Sequence, residues 1–335
     1  MDRPPPFEPL PADRTALRRR AIRDGLIVSG WLATIFILVV IPYAGRSFGY
    51  DAYSYWSIDL DNLYGRAVSS NFTLGAFRYA PPIAFLFAPL GLLPWWLFLL
   101  LWEAIMVATV AWLGGRWTLV LLALPPVALE LYHGNVHLLM AAAIALGFRY
   151  PWTWSFVILT KITPGIGLLW FAVRREWRSL IIALGFTAAV SIATYLYAPQ
   201  LWHDWIDSLF SNLYEPQFYS VPPPAPIRLP IAALIVIWGA LTDRPWTVGI
   251  AATLGLPIIW PHGLVLALAA VPFVSLGDRA AARPGWEMAV SLRRYVVYVG
   301  AALAAALAAA ALFSGPLSTL FNEASSRIDP YNRRP

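Results

Sequence analysis

Long apolar stretches that carry almost no charge recur along the whole chain, and they limit the possible folds more than any other feature. Residues 25–44, 95–113, 177–198 and 294–314 are examples. Overall, 59% of the residues are hydrophobic and 13% are charged, whereas a typical soluble domain is about 25% charged. This much apolar surface cannot be buried in one or two water-soluble cores, so we predict an all-α polytopic membrane protein. A cytosolic enzyme, a nucleic-acid-binding module and a disordered chain are excluded.

The hydropathy pattern predicts about eleven membrane-spanning helices, because a span needs about 20 mainly apolar residues. The predicted spans lie near 25–44, 80–94, 95–113, 117–132, 135–149, 151–173, 177–198, 226–242, 246–260, 262–277 and 294–314. Several are short and interrupted by proline, which membrane proteins tolerate where neighbouring helices satisfy the backbone. We therefore divide the chain into a basic N-terminal tail (1–24), a transmembrane domain (25–314) and a polar C-terminal tail (315–335).

The placement of arginine sets the predicted orientation, because basic residues concentrate in cytoplasmic segments. The arginine-rich N-terminal tail is placed inside, which leaves two long segments, 45–79 and 199–225, outside. The second contains an amphipathic stretch from Trp202 to Leu213 that predicts a helix on the membrane surface. The net charge of +6 is attributed to topology and to contacts with membrane lipids, and no nucleic-acid partner is expected.

The absence of cysteine excludes a disulfide framework, a thiolate nucleophile and a cysteine-based metal site. The four histidines are scattered and do not predict a zinc site, although distance along the sequence leaves one open. The acidic residues of segment 45–79 could coordinate a divalent ion, but they show no tight ligand spacing. We therefore predict no metal site and no cofactor.

Asp51 is the leading candidate for a general base. It lies a few residues after the first predicted span, among aromatic residues that include Tyr53 and Trp56. A carboxylate that is partly desolvated at the membrane interface becomes a stronger base, which suits proton abstraction. The alternative is a solvated loop aspartate beside an interfacial aromatic belt, and Asp59 and Asp61 compete for the same role.

Three cationic or titratable residues occupy unusual positions. Lys161 lies near the middle of a predicted span, where a charge costs roughly 2.5–3.5 kcal/mol. A site-organising role is favoured there over a buried structural pair with Glu103 or Glu130. Arg78 precedes a proline-stiffened span entry and either binds a phosphate or carboxylate or reaches lipid headgroups. His262 lies at an outer turn between two late spans, either as a site residue or as an interfacial hydrogen-bonding group.

Several motifs occur in order between about residues 25 and 277. They are an aspartate followed by aromatics, an aromatic–Tyr–x–Pro–Pro span entry, a Gly-Asn turn before a Leu/Ala-rich span, a Lys–x–x–Pro with a basic–Trp–Arg turn, and a late Trp–x–His. Their residues are Asp51, Tyr53, Tyr55, Trp56, Gly65, Phe77, Tyr79, Pro81, Pro82, Pro89, Leu90, Leu93, Pro94, Gly134, Asn135, Lys161, Pro164, Arg175, Trp177, Arg178, Trp260 and His262. This ordered set resembles the family-87 glycosyltransferases, integral-membrane enzymes of the GT-C superfold, which often have Gln at the position of Asn135.

The resemblance implies a GT-C-like bundle with extracytoplasmic loop helices, in a bacterial plasma membrane, with a cytoplasmic N-terminus and an extracytoplasmic active site. It implies transfer of a sugar, typically mannose, from a polyprenyl-phosphate donor to a lipid or glycan acceptor. A phosphate leaving group needs no general acid, so one carboxylate base suffices for an inverting reaction. Asp51 would be that base and His262 a second catalytic residue. The substrate-binding residues would be Tyr53, Trp56, Arg78, Tyr79, Lys161 and Trp260.

Two other classes of function remain open on the sequence. A flippase or transporter of a lipid-linked precursor would use Lys161 and Pro164 as a binding site near the membrane midplane. A non-catalytic membrane scaffold would leave both the charge in mid-span and the acidic residues of segment 45–79 without a role.

Overall fold

The computed structural model describes residues 14–69, 73–211, 223–274 and 290–328. Within these ranges every regular element is a helix, as predicted. The α-helices are α1 Arg14–Ile35, α2 Ile41–Gly45, α3 Ala52–Trp56, α4 Gly65–Ser69, α5 Pro81–Phe87, α6 Trp95–Gly114, α7 Thr118–Leu122, α8 Pro125–His133, α9 His137–Gly147, α10 Trp154–Thr160, α11 Leu169–Val173, α12 Trp177–Tyr197, α13 Pro199–Ser211, α14 Ala225–Leu241, α15 Trp246–Leu254, α16 Val271–Val274 and α17 Leu292–Ala324. Short 3₁₀ segments cover Ala88–Leu92, Gly115–Trp117, Pro151–Thr153, Thr163–Leu168 and Pro261–Ala270. A π-helical turn, Phe36–Val40, joins α1 to α2.

Four helical segments are long and apolar enough to cross a membrane: Ala16–Gly45, Trp95–Leu122, Trp177–Tyr197 and Leu292–Ala324. The pair α8 and α9, bent by 113° at the break between them, would make a fifth. The predicted number of about eleven spans is therefore not confirmed in the described part of the chain. The physical reason is that prolines and tight turns divide the remaining apolar sequence into shorter helices.

Three of the four candidate spans turn most of their residues away from the protein interior. In their most apolar windows only 17%, 6% and 11% of the residues are buried, for the first, third and fourth span respectively. Large apolar side chains on these helices, such as Leu32, Ile181 and Leu312, are 63%, 67% and 75% exposed. Faces of this kind are stable only in apolar surroundings, so the chain is a membrane protein.

The last helix, α17, runs antiparallel to α6. Near the start of α17, the Tyr295 hydroxyl lies 3.1 Å from the Thr109 hydroxyl in the second half of α6. Near the other end, the indole N–H of Trp95 donates a hydrogen bond of 2.8 Å to Ser325 Oγ. The residue that follows α17 therefore lies beside the first residue of α6.

The end of α17 also contacts the segment that follows the first candidate span. The backbone N–H of Phe48 donates to the carbonyl oxygen of Ala324 (3.0 Å), and the N–H of Arg327 donates to the carbonyl oxygen of Arg46 (2.9 Å). The end of the first span, the start of α6 and the end of α17 thus lie on one side of the molecule.

Helices extend into both predicted tails. At the N-terminal side, α1 begins at Arg14, inside the predicted tail 1–24, and residues 1–13 lie outside the described part. At the C-terminal side, α17 passes a kink at Phe313 and continues to Ala324. Residues 329–335 of the predicted tail 315–335 lie outside the described part.

The helix predicted in segment 199–225 is present as α13, while its predicted position on the outer membrane surface stays a prediction. It packs inward through Leu201 and Ser208, which are buried. The indole N–H of Trp205 donates to the carbonyl oxygen of Arg78 (3.3 Å), just before α5. Residues 212–222, which include the rest of the predicted stretch, lie outside the described residues.

Candidate active site

Asp51 immediately precedes α3 and is anchored by the end of α8. The backbone N–H of Asp51 donates to the carbonyl oxygen of His133, and that of Gly49 to the carbonyl oxygen of Tyr132, both at 2.9 Å. A helix leaves its last carbonyl groups without partners inside the helix, so these contacts satisfy both segments at once. The side chain of Asp51 remains 27% exposed and is therefore accessible to a substrate.

The carboxylate of Asp51 is oriented by Asn135. Asn135 Nδ2 donates to Asp51 Oδ2 (2.7 Å), while Asn135 Oδ1 accepts the backbone N–H of Val136 (2.7 Å). Because the backbone N–H can only donate, it defines the oxygen end of the amide and leaves the nitrogen for Asp51. A carboxylate that is held by one donor and open elsewhere is suited to accept a proton.

Gly134 forms the bend between α8 and α9 that brings these residues together. Its backbone is left-handed, with φ +65°, and a Cβ atom there would lie 2.7 Å from the Cβ of Ala52. The carbonyl oxygen of Gly134 accepts the indole N–H of Trp102 (2.8 Å), which ties the bend to α6. Only glycine has both the backbone freedom and the absence of a side chain that this close approach to α3 requires.

His262 approaches Asp51 from a distant part of the sequence. Its Nε2 lies 3.8 Å from Asp51 Oδ2, which is close enough for a charge interaction but too far for a direct hydrogen bond. The ring of His262 contacts those of His133 and His137, with centroid distances of 4.9 and 5.5 Å. Trp260 lies parallel to His262, with an interplanar angle of 3° and a centroid distance of 6.4 Å. Three of the four histidines therefore meet beside the carboxylate.

Lys161 reaches the same cluster from a break between helices. Helix α10 ends at Thr160, and Lys161 has an extended backbone (φ −146°, ψ 118°). Its Nζ lies 2.6 Å from His137 Nε2, and His137 Nδ1 lies 3.1 Å from Glu130 Oε2. Glu130, predicted as a possible ion-pair partner of Lys161, is thus connected to it through His137.

Glu130 also closes the bend between α8 and α9. Its Oε1 accepts the backbone N–H groups of His137 (2.7 Å) and Leu138 (3.3 Å). These N–H groups belong to the first turn of α9, where they have no partner within the helix, and the positive end of the helix dipole favours a carboxylate. Glu130 therefore stabilises α9 and orients His137 at the same time.

Glu130, His137 and His262 offer three ligand atoms that lie within 4.8 Å of one another. Carboxylate oxygens and imidazole nitrogens are common zinc ligands, so this set is the strongest metal candidate among the described residues. However, both ring nitrogens of His137 already have partners, Glu130 Oε2 and Lys161 Nζ. A cation that bound His137 Nε2 would have to displace the Lys161 ammonium group, which already occupies that position.

Tyr55 and Tyr79 form a buried pair beside Asn135. Their hydroxyl groups lie 2.9 Å apart, and their rings stack with a centroid distance of 5.9 Å. The hydroxyl of Tyr55 lies 3.5 Å from Asn135 Oδ1, to which it donates. Burial raises the pKa of both phenols, so they stay protonated and act as hydrogen-bonding groups.

Tyr53 and Trp56, predicted to contact the substrate, lie on the inner side of α3. They are 1% and 5% exposed and pack against Trp95, with ring centroid distances of 5.7 and 5.4 Å. The indole N–H of Trp56 donates to the carbonyl oxygen of Leu93 (2.8 Å). These contacts hold α3 against the start of α6. A role of Tyr53 or Trp56 in substrate binding stays a prediction.

The remaining aspartates of the segment lie apart from the cluster, whereas Glu103 lies beside the bend at Gly134, where an added Cβ atom would come within 3.4 Å of its Oε1. Asp59 and Asp61 are exposed, and the backbone N–H of Asp61 donates to Asp59 Oδ1 (3.1 Å) within a local turn. Glu103, the other predicted partner of Lys161, is half-buried on α6, and its Oε1 has no hydrogen-bond partner among the described residues. Asp51 is therefore the aspartate of this segment that contacts the cluster.

Sequence reasoning did not identify His137, Asn135 and Tyr55 as site residues. Glu130 and His137 flank a Gly-Asn dipeptide in an otherwise apolar stretch. Two ionisable residues on either side of a helix-breaking turn were a usable signal, because polar groups in apolar segments need partners.

The sequence model of glycosyltransferase family 87 matches residues 77–292. The matched range includes the elements that carry Glu130, Lys161 and His262, whereas Asp51 precedes it. The comparison with curated proteins and the comparison with solved structures found no match. Because the matched range covers more than half of the 335 residues, this membrane protein belongs to glycosyltransferase family 87 and is a glycosyltransferase.

Proposed function

We propose that this glycosyltransferase moves a sugar, with mannose as the first candidate, from a polyprenyl-phosphate donor to a hydroxyl group of a lipid or glycan acceptor. The observation that carries the proposal is an oriented, partly exposed carboxylate, Asp51, beside a cluster of histidines joined to Lys161. A base next to a cationic group suits a reaction in which a hydroxyl loses its proton and a phosphate departs.

In the proposed step, Asp51 takes the proton of the acceptor hydroxyl while the hydroxyl oxygen forms a bond to the anomeric carbon of the sugar. The bond between this carbon and the phosphate oxygen breaks, and polyprenyl phosphate leaves with the bonding electron pair. Attack on the side opposite the leaving group inverts the anomeric carbon. Unlike the leaving group of a glycosidase substrate, a phosphate is stable as an anion and needs no general acid.

Positive charge near the leaving group would stabilise the transition state, because the phosphate gains charge as it departs. Among the proposed phosphate-binding residues, His262 lies 3.8 Å from Asp51 and Lys161 interacts with Asp51 electrostatically, while Arg78 precedes Tyr79 at the entry to α5. The parallel ring of Trp260 next to His262 would offer an aromatic face to the sugar.

We further propose that the reaction takes place at the extracytoplasmic face of a bacterial plasma membrane, with the N-terminus cytoplasmic. The basic first turns of α1 support this orientation, because basic residues favour the cytoplasmic side. The exposed apolar faces of α12 and α17 would hold membrane lipid, and the prenyl chain of the donor would lie in the same apolar surroundings.

The test is the substitution Asp51→Asn in the full-length protein, purified and returned to lipid vesicles. We expect the rate constant for sugar transfer to fall by about 10²- to 10⁴-fold, as for the loss of a general base. The assay follows radiolabelled mannose from polyprenyl-phosphate mannose into a membrane lipid extract, with products separated by chromatography.

Asp59→Asn is the matched control, because Asp59 is an exposed aspartate in the same segment and lies apart from the cluster. It should transfer sugar at the wild-type rate. Undiminished transfer by Asp51→Asn would refute Asp51 as the base. Movement of the donor across vesicles without any glycosidic product would instead favour a flippase with a site at Lys161.

A further inference from the structure

We propose that Glu130 and His137 are positioning residues that hold the Lys161 ammonium group where negative charge develops on the departing phosphate. This inference rests on the proposed function, because it concerns the same site. It gives a role to two buried polar side chains that the transfer step itself does not use. The structural basis is a continuous series of contacts from a carboxylate, through an imidazole, to an amine.

For an ionised Glu130 and a protonated Lys161, the contacts assign the proton of His137 to Nδ1. Nδ1 lies 3.1 Å from Glu130 Oε2, and because an ionised carboxylate only accepts hydrogen bonds, Nδ1 is the donor. In a neutral imidazole the other nitrogen then keeps its lone pair. Nε2 lies 2.6 Å from Lys161 Nζ, and a protonated amine only donates. Glu130 thereby makes His137 an acceptor for Lys161.

Burial makes this arrangement rigid. Glu130 is 0% exposed and His137 is 1% exposed. Rotation of the Glu130 carboxylate would break its bonds to the two backbone N–H groups at the start of α9. Carboxylates orient histidines in the same manner around metal ions, where they fix the protonated nitrogen and the direction of the ring. Here the group that the histidine holds is an ammonium ion.

Lys161 needs positioning residues because its side chain is flexible and because it lies close to the Asp51 carboxylate. Lysine carries a compact charge on a flexible four-carbon chain, whereas charge stabilisation in a transition state requires a fixed group. Asp51 is close enough to Lys161 to interact with it electrostatically. The acceptor nitrogen of His137 gives the ammonium group a partner other than the catalytic base, which leaves the Asp51 carboxylate available for the acceptor proton.

The decisive experiment is a double-mutant cycle with Glu130→Gln and Lys161→Met in the full-length protein. Glutamine keeps the size of the side chain. If its amide nitrogen donates to His137 Nδ1, the histidine proton must move to Nε2. If the amide turns the other way, its oxygen no longer accepts the backbone N–H groups at the start of α9. We expect kcat/KM with polyprenyl-phosphate mannose to fall about 10-fold for Glu130→Gln. For Lys161→Met we expect a fall of about 10²-fold, mainly in kcat.

The double variant should be no slower than Lys161→Met alone, since a residue that acts through Lys161 has no effect once the amine is gone. Asp59→Asn is the control, because it also removes a carboxyl group but lies apart from the cluster, and it should keep wild-type kinetics. Losses that multiply in the double variant, or wild-type kinetics for Glu130→Gln, would overturn the proposal.

Nitrogen-15 NMR of histidine-labelled protein reports which nitrogen of His137 is protonated. A purely structural role of Glu130 would not change this protonation site. The His137 signal, identified by its loss in His137→Asn, should show a proton on Nδ1 in the wild type and on Nε2 in folded Glu130→Gln. A proton on Nε2 in the wild type would contradict the assigned roles. Loss of activity with EDTA and its recovery with zinc would overturn the proposal in favour of a metal at Glu130, His137 and His262.

Binding of polyprenyl phosphate alone separates this inference from the proposed function. Tryptophan fluorescence can follow the titration without any turnover. Weaker binding by both single variants, with no further loss in the double variant, supports positioning even if no acceptor yields a product. Unchanged binding and unchanged kinetics in Glu130→Gln would refute positioning even if Asp51→Asn abolishes transfer.

Discussion

Asn135 shows how one amide serves both the fold and the chemistry. Its oxygen accepts a backbone N–H at the start of α9, and its nitrogen donates to Asp51. Both contacts are made by the amide group at the end of the side chain. Glutamine at this position would supply the same donor and acceptor on a longer side chain.

The substitution Asn135→Asp tests this arrangement at the scale of a single residue. It replaces the donor to Asp51 by a second carboxyl group at hydrogen-bond distance, and two carboxylates so close retain a proton between them. Because the base must be deprotonated, we expect slower transfer at neutral pH and an acid limb of the pH–rate profile displaced to higher pH. Asn135→Gln keeps a donor and serves as the control. An unshifted profile for Asn135→Asp would contradict the orientation of Asp51 by Asn135.

Single residues were predictable where their position alone was unusual. Asp51 follows the first apolar span, and Lys161 interrupts another, so both could be singled out without a structure. The roles of Glu130 and His137 were not predictable, because they depend on a bend that places a side chain of α8 against the first turn of α9. Periodicity describes which residues share a face of one helix, but it does not give the angle between two helices.

Among the helices, the bend between α8 and α9 organises the site. It presents the last carbonyl groups of α8 to the segment before α3 and the first N–H groups of α9 to Glu130. A related feature explains why the predicted number of spans is not confirmed in the described residues. Apolar stretches that were predicted as spans are divided by Pro125, Pro164 and Pro257 into shorter helices.

Gly134→Ala tests the bend. The added methyl group would lie 2.7 Å from the Cβ of Ala52, and the left-handed backbone costs a non-glycine residue about 1–2 kcal/mol. We expect a lower melting temperature and a fall in kcat, because α3 and Asp51 must move. Gly115→Ala is the control, since Gly115 also has a positive φ but no atoms within 4 Å of the added carbon. Gly115→Ala should lower the melting temperature but keep the wild-type kcat. A wild-type kcat in Gly134→Ala would show that the bend does not position Asp51.

At the scale of the whole molecule, the segment that precedes Asp51 contacts the C-terminal end of the described chain. The family match begins at residue 77 and ends at 292, so neither the Asp51 segment nor α17 falls within it. The structure nevertheless joins them, through backbone hydrogen bonds between residues 46–48 and 324–327. Sequence patterns could not reveal this contact, because a backbone pairing between distant segments leaves no periodic signal. The C-terminal helix is therefore a structural support of the site as well as a candidate span.

Ser325→Ala tests this support. Ser325 is buried and accepts the indole N–H of Trp95, the ring against which Tyr53 and Trp56 of α3 pack. Removing the acceptor leaves a buried N–H without a partner, which costs about 1–3 kcal/mol. We expect a lower melting temperature in detergent and a several-fold lower kcat, because Trp95 shifts and α3 shifts with it. The control is Ser318→Ala, earlier in α17, which removes only the hydrogen bond from the Ser318 hydroxyl to the carbonyl oxygen of Gly315. It should change neither the melting temperature nor kcat. If the two variants behave alike, then the end of α17 does not support the catalytic segment.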